Sequence, residues 1–173
     1  YVHRTPLQPA LIRTLEASSN FDAEQLVRVL GAIKSGDGSL AGGVAAVRSV
    51  LDEALGSCGD KLVQIDGSGL SRGNEVTPSL LVRALRVVAA SDDAEAFLSA
   101  LPVAGETGTL SGRFEESPVK GRVRAKTGWI RGASSLSGIL ERKDGSRCVS
   151  SMRWIAPSRI TRPDTRDRSG AIG

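Results

Sequence analysis

The chain has 173 residues, 40% of them hydrophobic, which is enough for one globular domain with its own core. The net charge is +4 and arginines crowd the last fifteen residues, but aromatic residues make up only 3%, so few side chains could stack on bases and no nucleic-acid partner is expected. No apolar run approaches the roughly 18 residues of a membrane span, and no signal-peptide pattern follows Tyr1.

Apolar residues at helical spacing predict three helices in the first third of the chain. The first covers 6–17, the second covers 22–33, and the third runs from an N-cap at Ser39 to about residue 55. The predicted inward residues are Leu7, Leu11, Ile12 and Leu15 in the first helix, Leu26, Val27 and Leu30 in the second, and Val44, Val47, Val50, Leu51 and Leu55 in the third.

The middle of the chain contains shorter elements. An apolar run at 62–65 predicts an extended segment. Thr77 as N-cap and Pro78 at the first helical position then predict a fourth helix to about residue 90. A shorter helix is expected over 94–101, and the stretch 102–121, rich in Gly, Pro, Ser and Thr, is expected to form an ordered loop.

The last predicted elements are strands. Residues 121–130 alternate in polarity, 133–141 form a second strand, and a tight turn at 143–145 leads into a third strand near residue 147. Helices first and antiparallel strands last indicate an α/β mixture with segregated layers, an α+β arrangement, rather than a doubly wound parallel sheet. Residues 153–173 lack apolar periodicity, so a divergent or disordered tail is predicted after a domain of residues 1–152.

Cysteine and histidine content limits the possible chemistry. Cys58 and Cys148 are far apart and lack CxxC spacing, so two separate buried thiols are predicted, with a disulfide as the alternative. His3 is the only histidine, which argues against a histidine-based catalytic triad or a zinc site. Neither a metal nor a cofactor is expected.

Lys126-Thr127-Gly128 lies at the end of a predicted strand. A lysine ammonium and a threonine hydroxyl can together hold a carboxylate, and a glycine leaves the strand backbone open to a substrate. The competing interpretation is a solvated lysine beside a glycine that lets the strand twist. The same triplet on a sheet strand is one of three elements shared by penicillin-binding proteins and serine β-lactamases.

Ser18-Ser19-Asn20 has the Ser-x-Asn spacing of a second such element and lies in the turn between two predicted helices. The competing interpretation of this turn is a helix cap. Ser71-Arg-Gly-Asn74 does not fit, because its asparagine is one residue too far along the chain.

Four stretches in order resemble the low-molecular-mass class C penicillin-binding proteins, the D-Ala-D-Ala carboxypeptidase/endopeptidase family also known as peptidase family S13. They are residues 16–24 around Ser-x-Asn, 63–72 with the run D-G-S-G-L-S-R, 101–114 with A-G, G-T-L and R-F, and 121–128 with Lys-Thr-Gly, followed by 136–138 in the next strand. The two longer runs are far more specific than Lys-Thr-Gly, and the resemblance covers roughly residues 5–150.

The resemblance implies part of a penicillin-binding protein/serine β-lactamase-like transpeptidase fold, and acyl transfer from a D-Ala-D-Ala stem peptide to a serine. By position, Ser18 would relay a proton and Asn20 would bind the substrate amide, while Lys126 and Thr127 would receive the carboxylate. Gly128 would keep the strand open. The two motifs are expected to face each other across one groove.

The resemblance also assigns the backbone N–H of Trp129 to half of the oxyanion hole. A small hydroxyl residue is more usual at that position, so the indole is expected to crowd the cleft.

No Ser-x-x-Lys in a helical context precedes the Ser-x-Asn element, so the chain is expected to be a C-terminal fragment that is inactive alone. The resemblance implies peptidoglycan stem peptide as partner, β-lactams as ligands of the full-length form, and a periplasmic or other extracytoplasmic location. Two alternatives are a noncatalytic stem-peptide binding module and a serine β-lactamase or esterase of the same fold, although the D-G-S-G-L-S-R stretch argues against the latter.

Overall fold

The computed structural model describes residues 6–58 and 62–155, and within them helices come first and an antiparallel sheet comes last. The helices are α1 (Leu7–Leu15), α2 (Asn20–Ser35), α3 (Leu40–Leu55), α4 (Pro78–Ala89) and α5 (Ala94–Ser99), with a 3-10 turn at Gly108–Leu110. The strands are β1 (Leu62–Val63), β2 (Glu75–Val76), β3 (Val123–Ile130), β4 (Ala133–Glu141) and β5 (Arg147–Ile155). The predicted α+β arrangement is confirmed.

Three helices begin where a hydroxyl side chain caps them. The N-cap residues of α2, α3 and α4 are Ser19, Ser39 and Thr77, and each side-chain oxygen accepts a hydrogen bond from a backbone N–H in the first turn of its helix. These backbone N–H groups have no carbonyl partner within the helix, so the caps provide one. Ser39 and Thr77 confirm the predicted starts of α3 and α4. Helix α2 begins two residues earlier than predicted, because the cap is Ser19 and Asn20 is already helical.

The main sheet has the strand order β3-β4-β5, with both pairs antiparallel. Lys126 is opposite Ser137 and Gly128 is opposite Ser135 in the β3–β4 ladder, so the Lys-Thr-Gly triplet lies well inside a paired strand. Strands β1 and β2 form a separate two-stranded sheet. The extended segment expected at 62–65 is shorter than predicted, and its partner β2 was not predicted.

Helices α2 and α3 pack against each other through small residues. A Cβ atom at Gly43 would lie 2.4 Å from the Val27 carbonyl oxygen, so the backbones approach too closely for larger side chains there. The buried residues of α3 are accordingly Gly43 and Ala46, whereas Val50, predicted to point inward, is 36% exposed. The close helix contact therefore lies at the small residues of α3, while Val44 and Val47 are only partly buried.

The hydrophobic core lies where α5 and the following chain meet the sheet. Leu98, Leu101 and Ile139 form its buried centre, and Leu15 packs against it. The predicted inward face of α1 is only partly covered: Leu7 is 62% exposed and Ile12 is 37% exposed.

The thiols of Cys58 and Cys148 are both free, as predicted over the disulfide. Cys58 is buried, but Cys148 is only partly buried. Strand β5 continues to Ile155, three residues beyond the predicted domain boundary.

The predictions for His3 and for residues 156–173 of the tail fall outside the described residues. Among the helices of residues 6–58 and 62–155, none is long and apolar enough to cross a membrane.

Candidate active site

The turn between α1 and α2 holds Ser18 in a left-handed backbone conformation, with φ at 58°. Such a conformation is strained for a residue other than glycine, and strain of this kind persists where the surroundings fix it. Two contacts fix this turn: Ser19 N–H donates to the Arg13 carbonyl at 2.9 Å, and the Arg13 guanidinium binds both carboxylate oxygens of Asp22 at 3.1 Å. The Asp22 ion pair therefore ties the start of α2 back to α1.

Lys126 reaches from β3 to this turn. Its Nζ donates to Ser18 Oγ at 2.7 Å and to the Thr127 carbonyl at 2.7 Å. The structure thus brings together the serine and the lysine of the two predicted motifs. Burial lowers the pKa of Lys126 from its usual value, because a half-buried ammonium loses hydration. An ammonium has three hydrogens, and within the described residues only these two bonds are seen, so one N–H remains available to an anion.

Thr127 and Gly128 continue the strand beyond Lys126. The Thr127 hydroxyl donates to Thr109 Oγ1 at 2.8 Å. A Cβ atom at Gly128 would lie 2.4 Å from the Ser135 hydroxyl oxygen of the neighbouring strand, so a larger residue would displace that side chain. Thr109 was missed as a site residue, although its run Gly108-Thr-Leu110 was noticed, because its contact with Thr127 is tertiary.

No hydrogen bond joins the side chains of the two remaining predicted site residues to Ser18 or Lys126 among the described residues. Asn20 is the first residue of α2, exposed and two positions from Ser18, and no hydrogen bond of its side chain is seen in the described part of the chain. Trp129 is opposite Ser134 in the β3–β4 ladder and is 81% exposed, so its indole extends into solvent.

Asp66 organises the loop between β1 and β2, which contains the D-G-S-G-L-S-R run. Its carboxylate accepts from the backbone N–H groups of Gly69 at 2.7 Å and Ser71 at 2.6 Å, and from the Asn74 side chain at 2.8 Å. Burial acts to raise the pKa of Asp66, but these hydrogen bonds outweigh it and hold the pKa below the usual aspartate value. The loop is therefore built around a charged carboxylate.

Glu24 joins this loop to the helix that follows the Ser-x-Asn turn. Its Oε1 accepts from the backbone N–H groups of Gly67 and Ser68, both at 3.1 Å, while its buried Oε2 has no partner among the described residues. At the other end of the loop, Arg72 donates to the Arg131 carbonyl in the β3–β4 connection at 3.4 Å. The loop thus spans from α2 to the tip of the β3–β4 hairpin, and the roles of Asp66 and Glu24 were not predicted.

These contacts produce a cationic, hydroxyl-lined surface. The Lys126 ammonium, the Ser18 hydroxyl and the Thr127–Thr109 hydroxyl pair belong to one hydrogen-bonded region. An ammonium beside hydroxyl groups suits a carboxylate ligand, and a serine bonded to a lysine can pass a proton. A cavity of about 480 Å³ lies elsewhere, between α3 and β1, and its lining does not include these residues.

Comparison with known proteins gives concordant similarities. Residues 1–167 match the D-Ala-D-Ala carboxypeptidase 3 (S13) family. The chain is 37% identical over 149 residues to a D-alanyl-D-alanine carboxypeptidase of an Actinomadura species, an alignment that covers 83% of this chain and 28% of that protein.

Among solved structures, penicillin binding protein 4 of Haemophilus influenzae superposes with a TM-score of 0.80 at 28% identity, covering 91% of this chain and 36% of that one. A second structure of that protein, complexed with a β-lactam, gives a TM-score of 0.75 at 30% identity over 87% of this chain and 35% of that one. The chain therefore shares the fold of these structures and spans about a third of the length of the relatives it matches.

Proposed function

Because the chain belongs to the D-Ala-D-Ala carboxypeptidase 3 (S13) family, we propose that it supplies the Ser-x-Asn and Lys-Thr-Gly side of a serine D-Ala-D-Ala carboxypeptidase or endopeptidase site. The observation that carries the proposal is the 2.7 Å hydrogen bond between Lys126 and Ser18. This bond joins two motifs that are 108 residues apart and places a hydroxyl and a cation at one point. The reaction is acyl transfer on a peptidoglycan stem peptide.

Lys126 and Thr127 bind the terminal carboxylate of the stem peptide. The third N–H of the Lys126 ammonium donates to this carboxylate, and the Thr127 hydroxyl donates to it once its hydrogen has turned away from Thr109. Gly128 keeps the strand free of a side chain where the peptide lies along it.

Ser18 and Asn20 act on the opposite side of the peptide. Ser18 passes a proton toward the leaving nitrogen while the Lys126 ammonium stabilises the negative charge that develops. Asn20, exposed at the first position of α2, donates to and accepts from the substrate amide. The Trp129 backbone N–H supplies half of the oxyanion hole, and its exposed indole forms part of the rim.

No Ser-x-x-Lys precedes Ser18 within these 173 residues, so these residues do not themselves supply the nucleophile of the family. Ser18 Oγ accepts a hydrogen bond from Lys126, and its place in the Ser-x-Asn turn gives it the role of proton relay, not that of the nucleophile. The chain alone therefore binds the carboxylate end of the stem peptide without forming an acyl-enzyme.

The partner is a peptidoglycan stem peptide ending in D-Ala-D-Ala, and β-lactams are ligands of the complete catalytic site. A nucleic-acid partner does not fit this chemistry. Because the substrate is cell-wall peptide, the place of action is periplasmic or otherwise extracytoplasmic.

Peptide titration followed by NMR tests the proposal. An N-acetylated peptide ending in D-Ala-D-Ala should shift the amide resonances around Ser18 and Lys126, and the peptide with an L-Ala-L-Ala end should not. Lys126→Ala should abolish the response, and the matched control Lys143→Ala, at the exposed β4–β5 turn, should retain it. Equal responses to both peptides, or full binding by Lys126→Ala, would disprove the proposal.

Incubation with penicillin tests the second part of the proposal. The intact mass of these 173 residues should stay unchanged, because no Ser-x-x-Lys lies ahead of the Ser-x-Asn turn within them. A stable adduct on Ser18 would show that this serine is itself acylated and that its assigned role is wrong.

A further inference from the structure

The 3-10 turn Gly108–Leu110 brings a second hydroxyl to the end of β3. Thr127 Oγ1 donates to Thr109 Oγ1 at 2.8 Å, so in the structure the hydroxyl hydrogen of Thr127 is already used. A carboxylate that approached Thr127 in this state would meet oxygen lone pairs rather than a hydrogen. Some rearrangement of the two hydroxyls is therefore required before Thr127 can bind an anion.

The turn that carries Thr109 is fixed on both sides. Gly108 has φ at 55°, and a Cβ atom there would lie 2.6 Å from the Glu16 carbonyl oxygen, so the turn touches the chain just before Ser18. Leu110 is fully buried, and its carbonyl accepts from the Gly105 N–H at 3.0 Å. The turn is thus held between the Ser18 turn and β3.

Thr109 keeps a hydrogen of its own. A hydroxyl has one hydrogen and two lone pairs, and it rotates at little cost to suit its partners. Within the described residues Thr109 Oγ1 is seen only as the acceptor of the Thr127 bond, and the residue is exposed. Its hydrogen is free to turn toward Thr127 when the hydrogen of Thr127 turns away.

We propose that Thr109 is a positioning residue for the Thr127 hydroxyl, an inference that rests on the proposed carboxylate-binding role of Thr127. Without ligand, Thr127 donates to Thr109. When a peptide carboxylate arrives, both hydroxyls rotate: Thr109 donates to Thr127 Oγ1, and Thr127 donates to the carboxylate. No covalent bond changes and no proton leaves either oxygen.

The resulting chain of hydroxyl, hydroxyl and carboxylate strengthens the contact with the ligand. Each hydrogen bond in a chain polarises the next, and a bond to a charged acceptor is stronger than one between neutral groups. Thr109 therefore acts on the ligand through Thr127, without touching it. Loss of the Thr109 hydroxyl should weaken carboxylate binding by about fivefold to tenfold, which is the usual contribution of one such hydrogen bond to an affinity.

A purely structural role for Thr109 makes a different prediction. If Thr109 only pins β3 in place, its loss affects every ligand at this surface in the same way. If it orients Thr127 toward a carboxylate, its loss affects a peptide acid and spares the peptide amide, which has no anionic end. The ratio of the two dissociation constants separates these roles.

The experiment measures this ratio by calorimetry for an N-acetylated peptide ending in D-Ala-D-Ala and for its C-terminal amide. Thr109→Val should lower the preference for the acid about fivefold to tenfold. Thr109→Ser should restore it. In the double variant with Thr127→Val, the Thr109→Val change should have no further effect, since the two hydroxyls act as one unit. The control Ser111→Ala changes an exposed hydroxyl beside the same turn and should leave the ratio unchanged.

The outcomes separate this inference from the proposed function. A wild-type chain without preference for the acid overturns both. A wild-type chain that prefers the acid, together with a Thr109→Val variant that keeps the same ratio, overturns the role of Thr109 alone. Should Thr109→Val unfold the chain, Thr109→Ala at this exposed position provides the same comparison, and an unchanged ratio there is equally decisive.

Discussion

The Nζ atom of Lys126 lies 2.7 Å from Ser18 Oγ and also 2.7 Å from the backbone carbonyl oxygen of the next residue, Thr127. The bond to Ser18 joins the sheet to the turn between α1 and α2, and neither acceptor carries a charge. The positive charge of Lys126 is therefore oriented by neutral oxygens and is not neutralised by a carboxylate within the described contacts. An anionic ligand is the partner that such an arrangement attracts.

Alkaline pH should abolish carboxylate binding earlier than an ordinary lysine would allow. Burial lowers the pKa of Lys126 below 10.5, and only the protonated ammonium attracts a carboxylate. Affinity for a D-Ala-D-Ala peptide should therefore be steady near neutral pH and fall as the pH rises through the lowered pKa. Calorimetric titration over about pH 7 to 11 measures this. Peptide affinity that persists above pH 10.5 would contradict this prediction.

The same shift affects the stability of the fold. The unfolded chain holds the Lys126 proton more tightly than the folded chain, so this residue makes the free energy of unfolding increase with pH between the lowered pKa and 10.5. Lys126→Met removes this contribution. The difference in unfolding free energy between Lys126→Met and wild type should therefore change over that window, and urea unfolding at several pH values checks it.

Asp66→Asn should lower the free energy of unfolding by about 1–3 kcal/mol. The asparagine NH2 group would replace one accepting oxygen and would face an N–H group of the loop that now donates to that oxygen. Asp66 accepts three hydrogen bonds, and its pKa in the folded chain is below the ordinary aspartate value of 3.8. Its contribution to stability is therefore fully present above pH 3.8 and is lost as the pH falls through the lowered pKa. Urea unfolding at neutral and acid pH measures both effects. Asp92→Asn, at an exposed site, is the control, and equal unfolding midpoints for the two variants would refute the role of Asp66.

Local patterns in the sequence were sufficient for most helices and strands. The caps at Ser39 and Thr77 and the alternation along 121–130 depend on neighbouring residues only, and their elements were predicted closely. Strands β1 and β2 have two residues each, too few for any periodicity, and their pairing depends on the loop between them. Val50 was wrongly predicted to point inward, and the burial of Gly43 and Ala46 was not predicted, because a close helix contact at Gly43 is a tertiary property.

The residues of the candidate site also fall into some that short motifs predicted and others that depend on tertiary contacts. Ser18 and Lys126 were predicted because each stands in a short motif of fixed spacing, and the structure places them in contact. The roles of Thr109 and Glu24 were not predicted, since both depend on contacts with residues distant in sequence. Both residues lie in stretches that resemble the family, but a stretch of sequence does not indicate which distant backbone or side chain a hydroxyl or a carboxylate will meet.

Glu24→Ala should destabilise the chain more than Glu24→Gln. The backbone N–H groups of Gly67 and Ser68 both depend on Glu24 Oε1, and glutamine retains an accepting oxygen while alanine does not. Alanine should therefore cost about 1–3 kcal/mol of unfolding free energy. Glutamine should stay within about 1 kcal/mol of wild type, because it keeps an accepting oxygen for both N–H groups and places a neutral NH2 group where the buried oxygen has no partner among the described residues. Urea unfolding compares them, and equal losses for both variants would refute this account.

Gly108→Ala should be the most damaging of three glycine substitutions. At Gly36, φ is 76° and a Cβ atom would meet nothing within 4 Å, so alanine there incurs only the strain of the left-handed conformation, about 1–2 kcal/mol. At Gly112 the space is also open and φ lies outside that region, so alanine should change stability by less than about 0.5 kcal/mol.

At Gly108 the strain of φ at 55° is joined by an approach of 2.6 Å to the Glu16 carbonyl oxygen. That oxygen belongs to the chain leading into Ser18, so the 3-10 turn must move away from it and take Thr109 along. We expect a loss of about 2–4 kcal/mol in urea unfolding. We also expect weaker D-Ala-D-Ala peptide binding in Gly108→Ala and unchanged binding in Gly36→Ala. If the two variants lost equal stability and bound the peptide equally well, the contact between the turn and Glu16 would have no influence on the site.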